Sequence, residues 1–492
     1  MLIHYFEQYQ NLMKTKNKIA SGFAWSSIEN ISLQGVRFAN GIFLARILAP
    51  SDYGIIGMLT VFMVFSEIII NSGFTAALIQ KKDRKEIDYS TVFFFNIAIS
   101  ISVYLLLFIL SPKIAEFYNM QDLEKITKYV AIPLIFNALC NVQYTRFQIY
   151  LNLKTPALIS IICAVIQGLV GLSLAYNGYG VWSLIYSNIF GAVIRCIFLW
   201  IFSNWKPIFM FSLSSFKGLF DFGSKLLGVS LMEAAYTNIY SIVIGKFYNA
   251  STLGLFTRAQ GYAFLPTSII TSLISKVTYP SFCSIHDEKD LFENYKKMIG
   301  TVSFVTFPIM IFLAVLAKPL IIFFITEKWI ASAVLLQILC FATMWSPIYE
   351  VNISLIKALG KSSLLLKLQI VNKFFAIIVL IITLPRGVNI MCWGAVFISF
   401  LDISFNLYFT AKILSTSMIQ QLKNILPALI MSSCSGLLIY LTTYHVTNNF
   451  SQLVLGSIVG LISYLLIAAL FKNETLQYFT SVIRKRFRGI HK

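Results

Sequence analysis

The chain has 492 residues, 58% of them hydrophobic and only 12% charged, against about 25% charge in a soluble protein. The formal net charge is +19, but the bases sit mostly in short loops between apolar runs, which fits the positive-inside rule and not a nucleic-acid surface. These numbers exclude an ordinary soluble domain and point to an all-α polytopic membrane protein, because a backbone in lipid must satisfy its own hydrogen bonds.

In chain order, the first 18 residues are polar and mildly basic, without the apolar core of a cleaved signal. Met13-Lys14-Thr15-Lys16 resembles a start in its own right. Fourteen membrane helices are then expected. They lie near residues 19–47, 52–73, 91–111, 124–143, 157–176, 180–202 and 220–245, and near 253–280, 297–317, 331–352, 364–384, 389–411, 423–444 and 452–471.

The first of these carries a polar stripe, Asn30, Gln34, Arg37 and Gly41, whose spacings of four, three and four put all four on one helix face. A greasy helix with one wet face suits the wall of a water-filled cavity. Leu44 to Gly57 is a Pro/Gly turn that leads straight into the second run. The design returns at an offset of about 200. Ala45-Arg46, Pro50-Ser51 and Gly54-Ile55 are echoed by Gly245-Lys246, Ala250-Ser251 and Gly254-Leu255. The stripe is echoed by Ser230, Glu233, Thr237 and Ser241, so that helices 1 and 7 are expected to face each other across a cavity. A repeated multi-helix unit of this kind is the mark of a two-lobed transporter.

Two basic, aromatic stretches, Ala77–Ser90 and Tyr144–Pro156, are expected as amphipathic pieces lying on a leaflet. Trp205–Lys225 joins the repeats and is the natural lobe boundary. This gives an N-terminal lobe over 1–215, a C-terminal lobe over 216–413, and a remainder over 414–492 holding two further helices and a basic tail that favours anionic lipid. With the N-terminus placed inside, 26 Lys and Arg fall in the inner loops and 6 in the outer ones. That asymmetry places both termini in the cytoplasm and requires an even number of spans.

Ionised side chains are costly inside a bilayer, about 2.5–3.5 kcal/mol each on insertion scales, and normally face a cavity or a partner. Arg37, Arg258 and Lys373 lie deep and share faces with polar or small residues: Gln34 and Gly41, Gly254 and Gly261, Gln369 and Asn372. Together with Gln34 and Asn30 they are the candidate substrate-binding set. Such a cavity suits an anion, since arginine forks match phosphate oxygens. Arg195 is expected to snorkel to the nearby helix end, and Arg46 and Lys246 to anchor at headgroups. The acids Glu29, Glu67, Glu233, Glu350 and Asp402 are candidates for ion or proton coupling, or for pairing with these bases. The seven cysteines are scattered and the four histidines lie far apart, so no metal site or cofactor is expected. His286–Asp290 reads as a solvated acidic loop. No GxxxxGK[ST], HExxH or GxSxG pattern occurs, and no enzyme is expected.

SGFAWSSIEN (Ser21–Asn30), LARILAPSDYGIIGM, NSGFTAALIQKKD, NGYGVW (Asn177–Trp182), Trp205-Lys206-Pro207, DFGSKLL (Asp221–Leu227) and LGLFTRAQGY (Leu253–Tyr262) together resemble the Wzx-type polysaccharide exporters. These belong to the multidrug/oligosaccharidyl-lipid/polysaccharide superfamily. The likeness is strongest to the branch called lipopolysaccharide biosynthesis protein, similar to colanic and teichuronic acid exporters. The resemblance implies two pseudo-symmetric six-helix lobes plus two C-terminal helices, a MATE-like fold. It also implies flipping of an undecaprenyl-diphosphate-linked oligosaccharide across the bacterial cytoplasmic membrane. Arg258, in LFTRAQ, is the base that carries over best, whereas Gly54 and Gly57 stand in helix 2 where the related lipid II flippases use arginine. The expected partners are the lipid-linked oligosaccharide, membrane lipids, and a polysaccharide polymerase with assembly proteins, but no nucleic acid. Three rival readings are a drug or cation antiporter of the same superfamily, a membrane polymerase or glycosyltransferase, and an assembly scaffold without transport. The short outer loops count against the enzyme.

Overall fold

The computed structural model describes residues 2–71, 73–478 and 480–481, with the side chains of 2–20, 23 and 222 outside the description. The basic tail, 484–492, also lies outside the described residues. Among those described there are eighteen α-helices and no strand. The first ten are α1 (Leu2–Ile47), α2 (Pro50–Asn71), α3 (Phe74–Gln80), α4 (Glu86–Tyr118), α5 (Asp122–Val130), α6 (Ile132–Ile149), α7 (Lys154–Tyr176), α8 (Val181–Phe202), α9 (Leu213–Phe247) and α10 (Ala250–Cys283). The remaining eight are α11 (Glu288–Val315), α12 (Ala317–Ile325), α13 (Ile330–Thr343), α14 (Ser346–Ala358), α15 (Ser362–Thr383), α16 (Val388–Ile413), α17 (Met418–Thr443) and α18 (Asn449–Leu470).

Each of the fourteen expected spans is helical. Two are broken, 124–143 into α5 and α6 and 331–352 into α13 and α14. In both, the second helix starts with a proline in its first turn, Pro133 and Pro347. Proline lacks the N–H that a continuing helix needs but suits the opening of a new one. Among the described residues, eleven helical stretches are long and apolar enough to cross a membrane. The three others are α1, α5–α6 and α10, which carry Asn30, Gln34 and Arg37, Asn137 and Asn141, and Arg258 and Gln260. The protein is a multi-pass membrane protein.

The chain forms two compact units, Met1–Gly254 and Leu255–Lys492. In the first, α1 packs on α7, α7 on α8, α8 on α6 and α6 on α4, while α2 runs along α9. Small residues let these backbones approach, as in other membrane bundles. Asn40 of α1 fills the space beside Gly168 and donates to the Ala164 carbonyl at 3.3 Å. α2 runs antiparallel to α9 and is pinned near both its ends, by α10 at one and by α9 at the other. A Cβ on Gly54 would fall onto the Ala250 carbonyl, and one on Gly254 onto the Pro50 carbonyl. At the far end Gly73, at φ +70°, sits so close that its Cβ would lie 2.5 Å from the Gly223 oxygen. Gly254 thus serves a helix crossing and leaves no room for a ligand beside Arg258. Gly261, with nothing within 4 Å of its Cβ position, faces open space.

The two basic, aromatic stretches fold against each other. Residues 144–149 simply continue α6. Arg146 pairs with Glu86 at 3.0 Å and stacks on Tyr89 at 4.8 Å, while the Trp205 indole donates to the same carboxylate at 2.7 Å. The Ile208 and Ser212 amides donate to the Ser90 and Thr91 hydroxyls at 2.9 and 3.1 Å, which fastens the linker to α4. The acidic loop at 286–290 has a plain role, since Asp287 caps α11 through the amides of Lys289 and Asp290.

In the second unit α11 packs on α17, α17 on α18, and α13 and α15 on α16. A buried polar hub joins four of its helices. The Tyr295 hydroxyl lies 2.7 Å from both Asn352 Oδ1 and Gln421 Oε1, and Thr410 donates to the same Asn352 oxygen at 2.9 Å. Gln421 Nε2 donates to the Leu407 carbonyl at 3.1 Å. Removing one partner from such a network leaves an unsatisfied buried acceptor, at a cost of about 1–3 kcal/mol. Tyr295→Phe is therefore expected to lower the thermal unfolding midpoint in detergent by several degrees. An unchanged midpoint would show that the hub contributes nothing to stability.

Candidate functional site

The stripe of α1 stays off the packed core. Asn30 and Arg37 are exposed, and Gln34 and Gly41 are half-buried. The α9 stripe behaves alike, with Ser230, Glu233 and Thr237 exposed and Ser241 half-buried. Helical periodicity explains both, because one face of each helix is spent on packing and the polar face is what remains.

Arg258 is half-buried in the first turns of α10, which continues into the second unit. Its guanidinium carbon lies 5.6 Å from the ring centroid of the fully buried Trp329 and 5.9 Å from that of Tyr262. Ser332, just beyond Trp329, donates to the Leu255 carbonyl at 3.1 Å and fixes this helix end. Stacking of this kind sets the plane of a guanidinium and stabilises it by about 0.5–2 kcal/mol. Nothing in local spacing announces a partner seventy residues away.

Lys373 is half-buried on α15 beside the buried Asn372. The Asn372 amide donates to Asp402 Oδ1, and Asn406 Nδ2 donates to the same oxygen at 3.1 Å and to the Asp402 carbonyl at 2.8 Å. Two carboxamides from two helices thus preorganise one carboxylate. Of the other acids, Glu29 and Glu350 are half-buried and Glu233 is exposed. They lie on α1, α14 and α9, and the structure does not gather them into one cluster.

Arg195 departs from the expected snorkelling. It projects from α8 into the wall of a cavity of about 200 Å³, with Glu67 and Asn71 of α2 and with Asn137, Asn141 and Tyr144 of α6. Its guanidinium carbon lies 5.6 Å from the Tyr144 ring centroid. Lys246 also departs from its headgroup role, since it donates to the Phe117 carbonyl and lies 4.6 Å from that ring's centroid. Among the described residues no three His, Cys, Asp or Glu side chains are grouped as metal ligands.

Comparison with known proteins agrees with this picture. Residues 43–334 match the family model described as polysaccharide biosynthesis protein. The teichuronic acid biosynthesis protein TuaB of Bacillus subtilis is 26% identical over 70% of this chain and 72% of its own. The lipopolysaccharide biosynthesis protein WzxC of Escherichia coli is 24% identical over 75% and 76%. The succinoglycan biosynthesis transport protein ExoT of Rhizobium meliloti is 21% identical over 95% and 96%. Among solved structures, the lipid II flippase MurJ in an inward closed conformation superposes with a TM-score of 0.75 at 18% identity, covering 90% of this chain and 98% of its own. An inward-facing MATE multidrug transporter gives 0.55 at 14%, covering 84% and 98%. The fold is therefore the one that these two solved structures share, and with its family model matched over more than half its length the chain belongs to the polysaccharide biosynthesis protein family.

Proposed function

We propose that this chain is a flippase. It carries an undecaprenyl-diphosphate-linked oligosaccharide, the repeat unit of an O-antigen, capsule or exopolysaccharide, from the inner to the outer leaflet of the cytoplasmic membrane by alternating access. What carries the reading is the conjunction of family and chemistry. Relatives named for the biosynthesis of teichuronic acid, lipopolysaccharide and succinoglycan align over most of the chain. Polar stripes, one with an arginine, run along α1 and α9 outside the packed core. Exposed and half-buried bases on membrane helices favour an anionic cargo over the cationic drugs of an antiporter.

In this reading Arg37, Arg258 and Lys373 hold the diphosphate, Gln34 and Asn30 bond the adjoining headgroup, and the prenyl tail stays in lipid. Asp402, clamped by two carboxamides, is the preferred coupling group among the membrane acids. The moving lobes are 1–215 and 216–413, with 414–492 as an addition to the second. The closed crossing of α2 with α9 and α10 is then the contact that opens.

Export of the cell-surface glycan from a deletion strain, restored by a plasmid copy, tests the function. Arg258→Ala is expected to lose most export at wild-type membrane abundance, and Arg258→Lys only part, because charge survives but the fork does not. A parallel fall in abundance would assign the Trp329 stack to structure alone. Full export by Arg258→Ala would remove this residue from the site.

The crossing gives a second test. A methyl at Gly54 or Gly254 overlaps backbone, and overpacking of this kind costs about 1–3 kcal/mol. Gly54→Ala and Gly254→Ala are expected to lose export, while Gly218→Ala, with nothing within 4 Å of its Cβ position, keeps it. Equal export from all three would deny the crossing a role in the cycle.

The 26-to-6 division of loop bases supports cytoplasmic termini. Reporter fusions at Asn17 and Asn473 are expected to read as internal, and an external signal from either would overturn the proposed orientation.

A further inference from the structure

The cavity in the first unit holds charges that the fold leaves apart. Glu67 and Asn71, one turn apart on α2, line it and are exposed. Asn137, Asn141 and Tyr144 follow one face of α6, and Arg195 enters from α8. Glu67 and Arg195 share this space without forming an ion pair, and Arg195 Nε is buried without a hydrogen-bond acceptor among the described residues. If the carboxylate served only to neutralise the guanidinium, direct pairing would be the low-energy arrangement in a membrane protein.

The surrounding contacts hold this geometry. Arg195 stacks on Tyr144, and Asn141 Nδ2 donates to Asn71 Oδ1 at 2.6 Å. The Asn137 carboxamide has no protein partner among the described residues. The recess therefore offers a carboxylate, a guanidinium and a carboxamide together, a set of both donors and acceptors. A phosphate only accepts, and Glu67 repels it. A cation only attracts acceptors, and Arg195 repels it. A hydroxyl donates and accepts at one atom, so a neutral polyol satisfies both sides of the recess at once.

Size narrows the choice. At about 200 Å³ the cavity exceeds the roughly 30 Å³ share of one water or ion. It falls short of the roughly 300–1,000 Å³ of pockets for drug-sized ligands. One sugar ring fits between those bounds.

We propose that this recess is a saccharide subsite, which holds one neutral sugar residue of the glycan while the lipid-linked oligosaccharide crosses. The proposal rests on the flippase reading above. It makes Asn137, Glu67 and Arg195 determinants of which glycan is accepted.

The test uses the full-length protein in nanodiscs, with its native cysteines replaced and Asn137→Cys introduced. The rate of labelling by a small charged thiol reagent is measured with two probes. One is undecaprenyl diphosphate alone, and the other is the glycan-bearing lipid extracted from the deletion strain. Slower labelling with the glycan-bearing lipid only is expected. In cells, Asn137→Ala and Glu67→Gln are each expected to cut export about tenfold at unchanged membrane abundance, the scale of one lost hydrogen bond to a charged or buried partner. A loss confined to Glu67→Gln, with Asn137→Ala fully active, would mark a titrating group and refute a sugar contact. Equal protection by both lipids would make the recess a diphosphate or prenyl site and refute the proposal. So would absence of protection by either lipid while the wild-type copy restores export, since the recess would then hold only water. Failure of the wild-type copy to restore export would instead bring down the flippase reading itself.

Discussion

Where α2 meets the start of α10, two backbones touch without side chains between them. Gly54 lies against the Ala250 carbonyl and Gly254 against the Pro50 carbonyl. The contact is reciprocal: each residue meets the counterpart of its partner, displaced by 200 positions. The sequence repeat and the helix crossing are thus one fact seen twice, since a pseudo-symmetric contact needs the same small residue on both sides. Gly73 against Gly223 closes the other end. From Gly54 to the end of α2 at Asn71 the helix rises about 26 Å at 1.5 Å per residue, close to the thickness of a hydrocarbon core. Backbone contact thus seats α2 on α10 near its start, and the turn after α2 on α9. The polar stripe of α9 lies outside that seam, because the packed face of the helix is already spent on it.

Much of this was legible in the chain. Helical spans follow from apolar length alone, and even the two broken spans carried their cause in Pro133 and Pro347. The stripes on α1 and α9 followed from spacing, and exposure agrees with them. Less legible was anything fixed by a partner distant in sequence. Gly254 reads as room for a ligand beside Arg258 until Pro50 is seen to fill it. That Trp329 lies against Arg258 is not legible in local spacing either. Arg195 reads as a snorkelling base because its helix end is near, and only the arrival of α2 and α6 turns it inward. Periodicity names a face but not what lies opposite, and the opposite residue decides whether a polar side chain is structural or offered to a ligand.

A signal for the recess did exist. Asn137, Asn141 and Tyr144 recur at four and three on α6, the same rhythm as the α1 stripe. The pattern was obscured because it crosses the boundary of a broken span and runs into a basic stretch that resembled a surface piece.

Both units hold polar groups that the fold satisfies and others that it does not. In the second, Tyr295 is met by Asn352 and Gln421, and Asp402 by Asn372 and Asn406. Satisfied networks of this kind rigidify a core, since any motion within them leaves a donor or acceptor stranded in low dielectric. In the first unit the α2–α6–α8 recess keeps a carboxylate and a guanidinium apart and a carboxamide unbonded. Groups that the fold does not satisfy must be met from outside it, by water or by a molecule with hydroxyls to offer. Desolvation is costly for a charge with no partner, and Arg195, whose Nε is buried without an acceptor, gains most from such a contact. The Tyr295 and Asp402 networks thus hold helices of the second unit in place.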